Sequence, residues 1–475
     1  MKRCPYCEKE IASEASFCEY CNKPLLANLE KKVTPGNLAQ NYPSSLRSEI
    51  YYNKEEGISQ NLKSSNEYNK RIEELDKEIQ QRQQSGDSVG EQLLEKAGLY
   101  YQNHDLEGAL NILKITLEQF ISDQDYEHLA IVYNELGLIY EDLHLFDNAI
   151  NSLLHSIELF EKLEDFKKLI QVYNNLGNIY FKIEDLERSF EIYQKALEYA
   201  KNEQLSDEQA KTINNLIEVL IEFRKYEQVK DYLNSNLLYF KQKEDAYGII
   251  LTLTKYGILY YALGGNNYEK AYQSLNEALD LITKLSNATS KKLISQLQWE
   301  CFLYLGRIHL LWNEDKQAEE FLKESLEAVR DFELSESSLK EGKILESLAK
   351  LYEIQGNTEQ AISSYNSACS IYEKYGRDYK IARIKFAIAQ LYFEILEDYN
   401  RSIIFLEEAL ELYSSLGYNK EIAEIYNMMA NVYLARNIPE RAMEYFSQAG
   451  NIYLELQDLS NANLIKEKIN SLKNR

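Results

Sequence analysis

Four cysteines near the N-terminus form the clearest chemical pattern in this sequence. Cys4 and Cys7 make one C-x2-C pair, Cys18 and Cys21 make a second, and ten residues separate the two pairs. Two such pairs can supply four thiolates to a tetrahedral Zn²⁺ site, which is structural because no ligand position is left for water. The same pattern also admits two disulfides or a redox-active C-x-x-C pair. The spacing favours structural zinc.

The segment that must position these cysteines is too short to bury a hydrophobic core. Without a metal, residues 1–24 are expected to be unfolded. This segment, from Cys-Pro-Tyr-Cys to Cys-Glu-Tyr-Cys-Asn-Lys-Pro, resembles the small zinc-ribbon modules at the N-termini of many archaeal and bacterial proteins. The resemblance implies a ribbon with Cys4, Cys7, Cys18 and Cys21 as the Zn²⁺ ligands.

The overall charge limits the classes of partner. The chain has 53 Lys and Arg residues against 76 Asp and Glu residues, and its formal net charge is −23. Such a surface repels nucleic acid and anionic lipid. No apolar run reaches the roughly 18 residues of a membrane helix, and the N-terminus has no signal-peptide core. We expect a cytoplasmic protein that neither enters a membrane nor binds nucleic acid.

Two segments of different character follow the cysteines. Residues 25–65 are rich in Asn, Ser, Lys, Glu and Tyr without a sustained apolar period, which indicates a flexible linker. In residues 66–84, Ile72, Leu75 and Ile79 fall at helical spacing among charged residues. This pattern predicts a short amphipathic helix, which packs either on the same chain or on another chain.

A two-part pattern recurs at a nearly constant spacing through residues 90–457. A small residue is followed three positions later by an aromatic residue, and about twelve positions later by a second small residue. The first position holds Ala97, Gly137, Gly177, Ile217, Gly257, Gly306, Ala349, Ala389 and Ala430. A fixed period of this length, with apolar residues at helical spacing, predicts stacked helix pairs. The expected fold is an all-α solenoid of nine helix pairs, closed by a capping helix over residues 458–475.

The pattern resembles the tetratricopeptide repeat, whose signature is Leu-Gly-x2-Tyr followed by an Ala position on the second helix. Leu176, Gly177, Tyr180, Tyr193 and Ala196 match that signature. The period is longer than that of the common form, and in this it is similar to the repeats of kinesin light chain, Pins-type polarity adaptors, and MalT-type and Rap-type bacterial regulators. The resemblance implies a right-handed superhelix whose first helices line a concave groove that binds extended peptides.

Asparagine recurs at two positions that the resemblance places in this groove, three before and one after the first small residue. These residues are Asn134, Asn174, Asn214, Asn427, Asn178 and Asn431. An amide side chain can both donate to and accept from a peptide backbone, so such a ladder could hold a peptide with little sequence preference. The alternative is that asparagine is simply frequent throughout this chain.

Four basic residues are predicted to converge on the groove in the later repeats. Arg307 and Lys350 come one position after the small residue, and Lys343 and Arg383 come six positions before it. This set could bind an acidic peptide or a C-terminal carboxylate. Alternatively, it could be paired internally, with Glu346 and Glu353 as partners. The carboxylate clamp of chaperone-binding tetratricopeptide repeats is absent from the matching positions.

The sequence contains no P-loop, dinucleotide-binding turn, zinc-protease helix or nucleophile elbow. We therefore expect a non-enzymatic adaptor that binds a protein or peptide in the groove. One alternative is a signalling or transcriptional regulator, in which the repeats sense a ligand and the ribbon contacts nucleic acid or polymerase machinery. Another is a structural subunit of a larger assembly.

Overall fold

The computed structural model describes residues 2–3, 10–11, 65–285, 289–332 and 338–473. The chain divides into two compact units, residues 1–44 and 45–475. In the first unit, strands β1 (Lys2–Arg3) and β2 (Glu10–Ile11) pair antiparallel, with Lys2 opposite Ile11 and Arg3 opposite Glu10. The four predicted zinc ligands and residues 25–64 of the predicted linker lie outside the described residues, and Ser65, the last predicted linker residue, begins a helix.

The second unit is all-α in the part that is described. Its described part begins with α1 (Ser65–Ser85) and continues as nine helix pairs, which we call repeats one to nine. The first helices of the pairs are α2 (Gly90–Gln102), α4 (Tyr126–Asp142), α6 (Phe166–Lys182), α8 (Ser206–Glu222), α10 (Ala246–Leu263), α12 (Lys291–Leu311), α14 (Leu339–Ile354), α16 (Asp378–Glu394) and α18 (Asn419–Ala435). The second helices are α3 (Leu106–Asp123), α5 (Phe146–Leu163), α7 (Leu186–Asn202), α9 (Tyr226–Gln242), α11 (Tyr268–Leu285), α13 (Asp315–Phe332), α15 (Thr358–Lys374), α17 (Tyr399–Leu416) and α19 (Pro439–Glu455). Helix α20 (Leu459–Lys473) follows the last pair.

The small residues allow the two helices of a pair to pack closely. A Cβ atom added to Gly137 would lie 2.6 Å from Cδ2 of Leu153, and one added to Gly177 would lie 2.5 Å from the ring of Tyr193. The second small position is equally tight, because the Ser189 hydroxyl donates to the Gly177 carbonyl at 2.9 Å. A larger side chain at either glycine would require the Leu153 or Tyr193 side chain to move.

The turns explain why the first four repeats have such a regular length. A residue with positive φ follows each helix in turn at a constant interval, at His104, Gln124, His144, Glu164, Glu184, Gln204, Arg224 and Glu244. A left-handed residue at this place is a common helix stop. Several of these turns are followed by an aspartate that caps the next helix, as where Asp165 accepts from the Lys168 N–H at 3.1 Å.

Helices α1 and α20 cover the two ends of the solenoid. The sequence leaves two partners open for α1, and the structure shows that α1 packs on α2 of the same chain. Leu75 is completely buried there, and Arg71 Nε donates to Glu95 Oε1 at 2.8 Å. At the other end, Ile465 of α20 is buried against the last pair. No helix in the described ranges has the length and apolarity needed to cross a membrane.

The superhelix also makes a contact between repeats that are far apart in sequence. Arg377, in the turn between α15 and α16, donates to the Phe181 carbonyl at 3.0 Å and pairs with Glu184 at 2.7 Å. Beside it, the ring centroids of Tyr375 and His144 lie 4.5 Å apart. Turns of repeats two and three therefore touch the turn between repeats seven and eight. We call these five residues the closing contact.

Candidate binding groove on the inner face of the solenoid

The first helices form the inner face of the curved stack. Each second helix contacts the helices before and after it, whereas first helices of neighbouring repeats contact each other directly in the series α4, α6, α8, α10, α12 and α14. In a bent stack the elements on the inside of the curve lie closest together. The inner face is therefore the surface of the first helices that points away from the second helices.

Asn134, Asn174 and Asn214 lie between adjacent first helices and are only 6–8% exposed. The Asn134 amide oxygen accepts from Asn175 Nδ2 at 2.9 Å. One repeat later, the Asn174 oxygen accepts from Asn215 Nδ2 at 3.2 Å. These bonds form an amide ladder that joins repeats two, three and four, so part of the predicted peptide-binding capacity is used within the chain.

The remaining predicted asparagines are half-buried. Asn178 accepts from the Tyr193 hydroxyl at 2.6 Å, which links the two helices of repeat three. Asn427 accepts from Lys468 Nζ of α20 at 3.0 Å and so helps to fix the terminal helix. Asn431 lies one turn further along α18. Contact of any of these amides with a peptide stays a prediction.

The buried amide ladder leads to a stability prediction. Changing Asn174 to Ala is expected to lower the free energy of unfolding by about 1–3 kcal/mol, because the buried Thr212 hydroxyl and the Asn215 amide both lose a partner. Urea denaturation followed by circular dichroism measures the change. Asn151, which is exposed on α5, serves as the control, and its change to Ala should have an effect below about 0.5 kcal/mol.

Three of the four predicted cations have partners inside the protein. Arg383 pairs with Glu346, and Lys350 pairs with Glu353 at 2.5 Å. Arg307 donates from Nε to the Ser347 hydroxyl at 2.9 Å, and its guanidinium lies over the Tyr304 ring. Glu346 and Glu353 are the two carboxylates that internal pairing would require.

An ion network on the inner face joins repeats four, five and six. Lys255 of α10 is 8% exposed, and its amine lies 2.7 Å from Glu218 of α8 and 3.0 Å from Glu300 of α12. Burial would lower the pKa of Lys255, but the two carboxylates raise it above its ordinary value. Burial would likewise raise the pKa of Glu218, but Lys255 and Lys343 lower it. Lys255 and Glu218 are therefore both charged at neutral pH.

The inner face of repeat four is close enough to those of repeats seven and eight for their charged side chains to interact. Lys343 of α14 acts electrostatically on Glu218 of α8, and Glu222 of α8 acts on Lys380 of α16. Glu218 nevertheless keeps 36% of its side-chain surface accessible. The groove is thus narrow, lined by charge and open to solvent.

Five of these inner-face residues were absent from the sequence prediction: Glu218, Glu222, Lys255, Glu300 and Lys380. A signal was present for two of them. Glu218 lies one position after Ile217, and Glu300 lies six positions before Gly306, which are the positions that select the basic residues in later repeats. Lys255 and Lys380 occupy neither of these two positions relative to the first small residue of their repeats. A pattern of basic residues alone does not reveal the acidic residues that face them.

Metal-binding groups do not cluster in the described part of the second unit. No set of three or more His, Cys, Asp or Glu side chains in the described ranges could hold a metal ion. Cys301 and Cys369 are free thiols that are buried in helix packing. Burial raises the pKa of both thiols to about 12, so they stay protonated.

The comparison with protein families supports the repeat assignment. The tetratricopeptide repeat family model matches residues 130–163, 170–203, 342–375 and 382–416. The chain contains tetratricopeptide repeats. The four matches coincide with repeats two, three, seven and eight, which are also the repeats that form or flank the closing contact. No curated protein matched the sequence.

Several solved helical structures are similar to this chain at low identity. The apo form of the quorum sensor NprR from B. thuringiensis is 18% identical, with 73% of this chain and 98% of that chain covered and a TM-score of 0.47. A Rap protein complexed with Competence and Sporulation Factor is 16% identical, with 83% and 99% covered and a TM-score of 0.48. BtubC (BKLC) from P. vanneervenii is 20% identical, with 43% and 90% covered and a TM-score of 0.32.

Proposed function

We propose that this protein is a non-enzymatic adaptor whose tetratricopeptide repeats bind an extended peptide segment of a partner along the inner face. The observation that supports this proposal is the solvent accessibility of charged side chains on the inner face. Lys343, Lys380 and Glu218 are partly accessible in a narrow groove, although they belong to repeats that are far apart in sequence. Such a groove presents fixed charges at close range on several sides of a bound chain.

Early and late repeats are proposed to contact different parts of the peptide. In the early repeats, one amide side chain offers two hydrogen-bond donors and two acceptor positions. Asn178, and the donor and acceptor positions of Asn134, Asn174 and Asn214 that are not used within the chain, can therefore form hydrogen bonds with the backbone of a peptide. In the later repeats, the basic side chains can meet acidic groups. The amide ladder would then fix adjacent first helices relative to each other and also bind the peptide. We place this activity in the cytoplasm. The net charge of the chain, −23, disfavours nucleic acid as the partner.

We further propose that the first 24 residues bind one structural Zn²⁺ through Cys4, Cys7, Cys18 and Cys21. The sequence spacing supports this assignment, as does the pairing of β1 with β2 on either side of the segment that contains Cys4 and Cys7. Bound zinc would cross-link the two C-x2-C pairs, and the thiolates would have no further position for a substrate. The ribbon is therefore proposed as a fold-stabilising module.

The zinc proposal predicts one metal ion for each purified chain. Changing both Cys4 and Cys7 to Ser should remove the metal completely, because two ligands cannot hold it against a chelator. Elemental analysis measures the zinc content, and a colorimetric chelator measures its release. The matched control changes Cys301 and Cys369 to Ser, which should leave one zinc ion in place. Metal retention in the Cys4 and Cys7 variant would contradict the assignment.

Peptide selection followed by cross-linking tests the adaptor proposal. The immobilised full-length chain selects binders from a displayed library of random dodecapeptides. A photoreactive benzoylphenylalanine then replaces Tyr304, an inner-face tyrosine of α12 that interacts with Arg307 and Lys255. The control replaces Tyr232, a half-buried tyrosine on the second helix α9. The proposal expects cross-links to selected peptides from position 304 only. Cross-links from position 232 alone would place binding on the outer face and overturn it.

A further inference from the structure

Two lysines on the inner face lack the partners that the other cations have. Lys343 of α14 and Lys380 of α16 are half-buried, and within the described ranges no hydrogen bond or ion pair joins either amine to another residue. They are close enough for Lys343 to repel the charged form of Lys380. Burial and this repulsion, together with repulsion from Arg383, lower the pKa of Lys380 to about 8, despite attraction from Glu346 and Glu222.

The two neighbouring arginines already have partners within the protein. Arg383 is paired with Glu346, which also accepts from the Tyr372 hydroxyl at 3.1 Å. Arg307 donates to the Ser347 hydroxyl and, at 3.4 Å, to the Lys343 carbonyl. Arg307 thus fixes the backbone that carries Lys343. The two arginines hold the site in place, and the two lysines remain available.

Basic side chains are grouped on the inner face around these lysines. Six of them interact there with four acidic ones, and Glu353, Glu421 and Glu424 act on tyrosines beside Arg383. The basic residues are Lys255, Arg307, Lys340, Lys343, Lys380 and Arg383, and the acidic residues are Glu218, Glu222, Glu300 and Glu346. The chain as a whole has a net charge of −23. A group of basic side chains in such an acidic protein attracts anionic groups.

We propose that Lys343 and Lys380 bind a carboxylate of an acidic peptide that lies along the inner face of repeats seven and eight. This inference rests on the proposed adaptor function and names the chemistry of its ligand. A carboxylate offers two oxygens, one for each amine, and replaces the water that a half-buried ammonium group must otherwise retain. Glu218 and Glu222 face the lysines from α8, and their charge favours a singly charged group over a more highly charged one.

The first probe is a fluorescein-labelled hexaglutamate peptide with blocked ends, measured by anisotropy against a hexaglutamine peptide. The full-length chain should bind hexaglutamate and not hexaglutamine. The double variant Lys343→Met and Lys380→Met should bind it at least about tenfold more weakly, since two charge-assisted contacts are lost. Lys343→Arg with Lys380→Arg should bind within about threefold of the parent chain, because the charge is kept.

Two further variants separate this site from general charge effects. Lys195 and Lys230 are exposed lysines on the second helices α7 and α9, so changing both to Met alters the net charge by the same amount. That control should bind hexaglutamate as the parent does. Glu222→Gln removes a carboxylate that faces Lys380, and it should tighten binding about two- to threefold. Equal weakening of the Met double variant and the control would overturn the site.

The selected dodecapeptides distinguish failure of this inference from failure of the adaptor proposal. The inference expects Asp and Glu to be enriched in peptides that cross-link to position 304, and expects the Met double variant to lose them. Peptides that cross-link there without acidic enrichment, and that bind the double variant equally well, would overturn the carboxylate site and leave the adaptor proposal standing. Absence of binding by hexaglutamate and by every selected peptide would overturn both.

Discussion

Changing Lys255 to Ala is expected to lower the free energy of unfolding by about 3 kcal/mol, because Glu218 and Glu300 would lose their shared cation. Fully buried ion pairs cost up to about 5 kcal/mol when one partner is removed. The 36% accessibility of Glu218 reduces that figure here, since water can reach this carboxylate. Urea denaturation gives the overall change, and hydrogen exchange of α8, α10 and α12 shows whether the loss is local, as stacking of repeats predicts.

The matched control for Lys255 is an exposed ion pair of the same residue types. Lys323 pairs with Glu319 at 2.6 Å with a side chain that is 60% exposed, so its change to Ala should cost less than about 1 kcal/mol. A triple variant with Lys255→Met, Glu218→Gln and Glu300→Gln removes all the charges and should be close to the parent in stability. If Lys255→Ala and Lys323→Ala had equal effects, the buried network would not stabilise the fold.

The same network predicts a pH dependence with a defined sign. The pKa of Glu218 is lowered in the folded protein, so its contribution is complete above the unfolded carboxyl value of about 4.3 and is lost as the pH falls through the lower folded value. The raised pKa of Lys255 keeps its contribution constant through neutral pH. The stability difference between the parent and Lys255→Met should therefore be constant from about pH 6 to 8 and should shrink below about pH 4.

Changing Arg377 to Glu is expected to open the superhelix. Arg377 is 10% exposed in its side chain, and the variant would place a carboxylate beside Glu184 and leave the Phe181 carbonyl without its donor. Losing charged hydrogen bonds of this kind costs about 2–3 kcal/mol, which shifts the balance between closed and open forms by about 30- to 150-fold. Small-angle X-ray scattering should then show a larger radius of gyration, while the helix content stays the same.

A charge-matched variant on the outer surface tests whether the effect belongs to the closing contact. Arg401 is 64% exposed and pairs with Asp398 at the start of α17, so Arg401→Glu alters the net charge equally without touching the closing contact. Its scattering profile should match that of the parent. Adding Glu184→Arg to Arg377→Glu restores opposite charges and should recover part of the compact form. An unchanged profile for Arg377→Glu alone would show that the contact does not hold the superhelix closed.

The helix pairs follow from the sequence because their determinants are local. Gly137 and Gly177 mark close packing within a pair, the aspartates that follow left-handed residues begin the next helix, and the nearly constant period repeats both signals. The all-α class and the presence of tetratricopeptide repeats could therefore be predicted. The Asn134 and Asn174 positions were also found in the sequence, but a periodic pattern does not state whether an amide faces a ligand or the adjacent helix.

The tertiary structure alone decided which repeats face each other. Each repeat turns by a small angle relative to the last, and only the sum over several repeats brings Lys343 towards Glu218 and Arg377 to Phe181, 196 residues away. No local pattern encodes that sum. The sequence by itself determined the repeating unit and its spacing, whereas the accumulated curvature determined the groove.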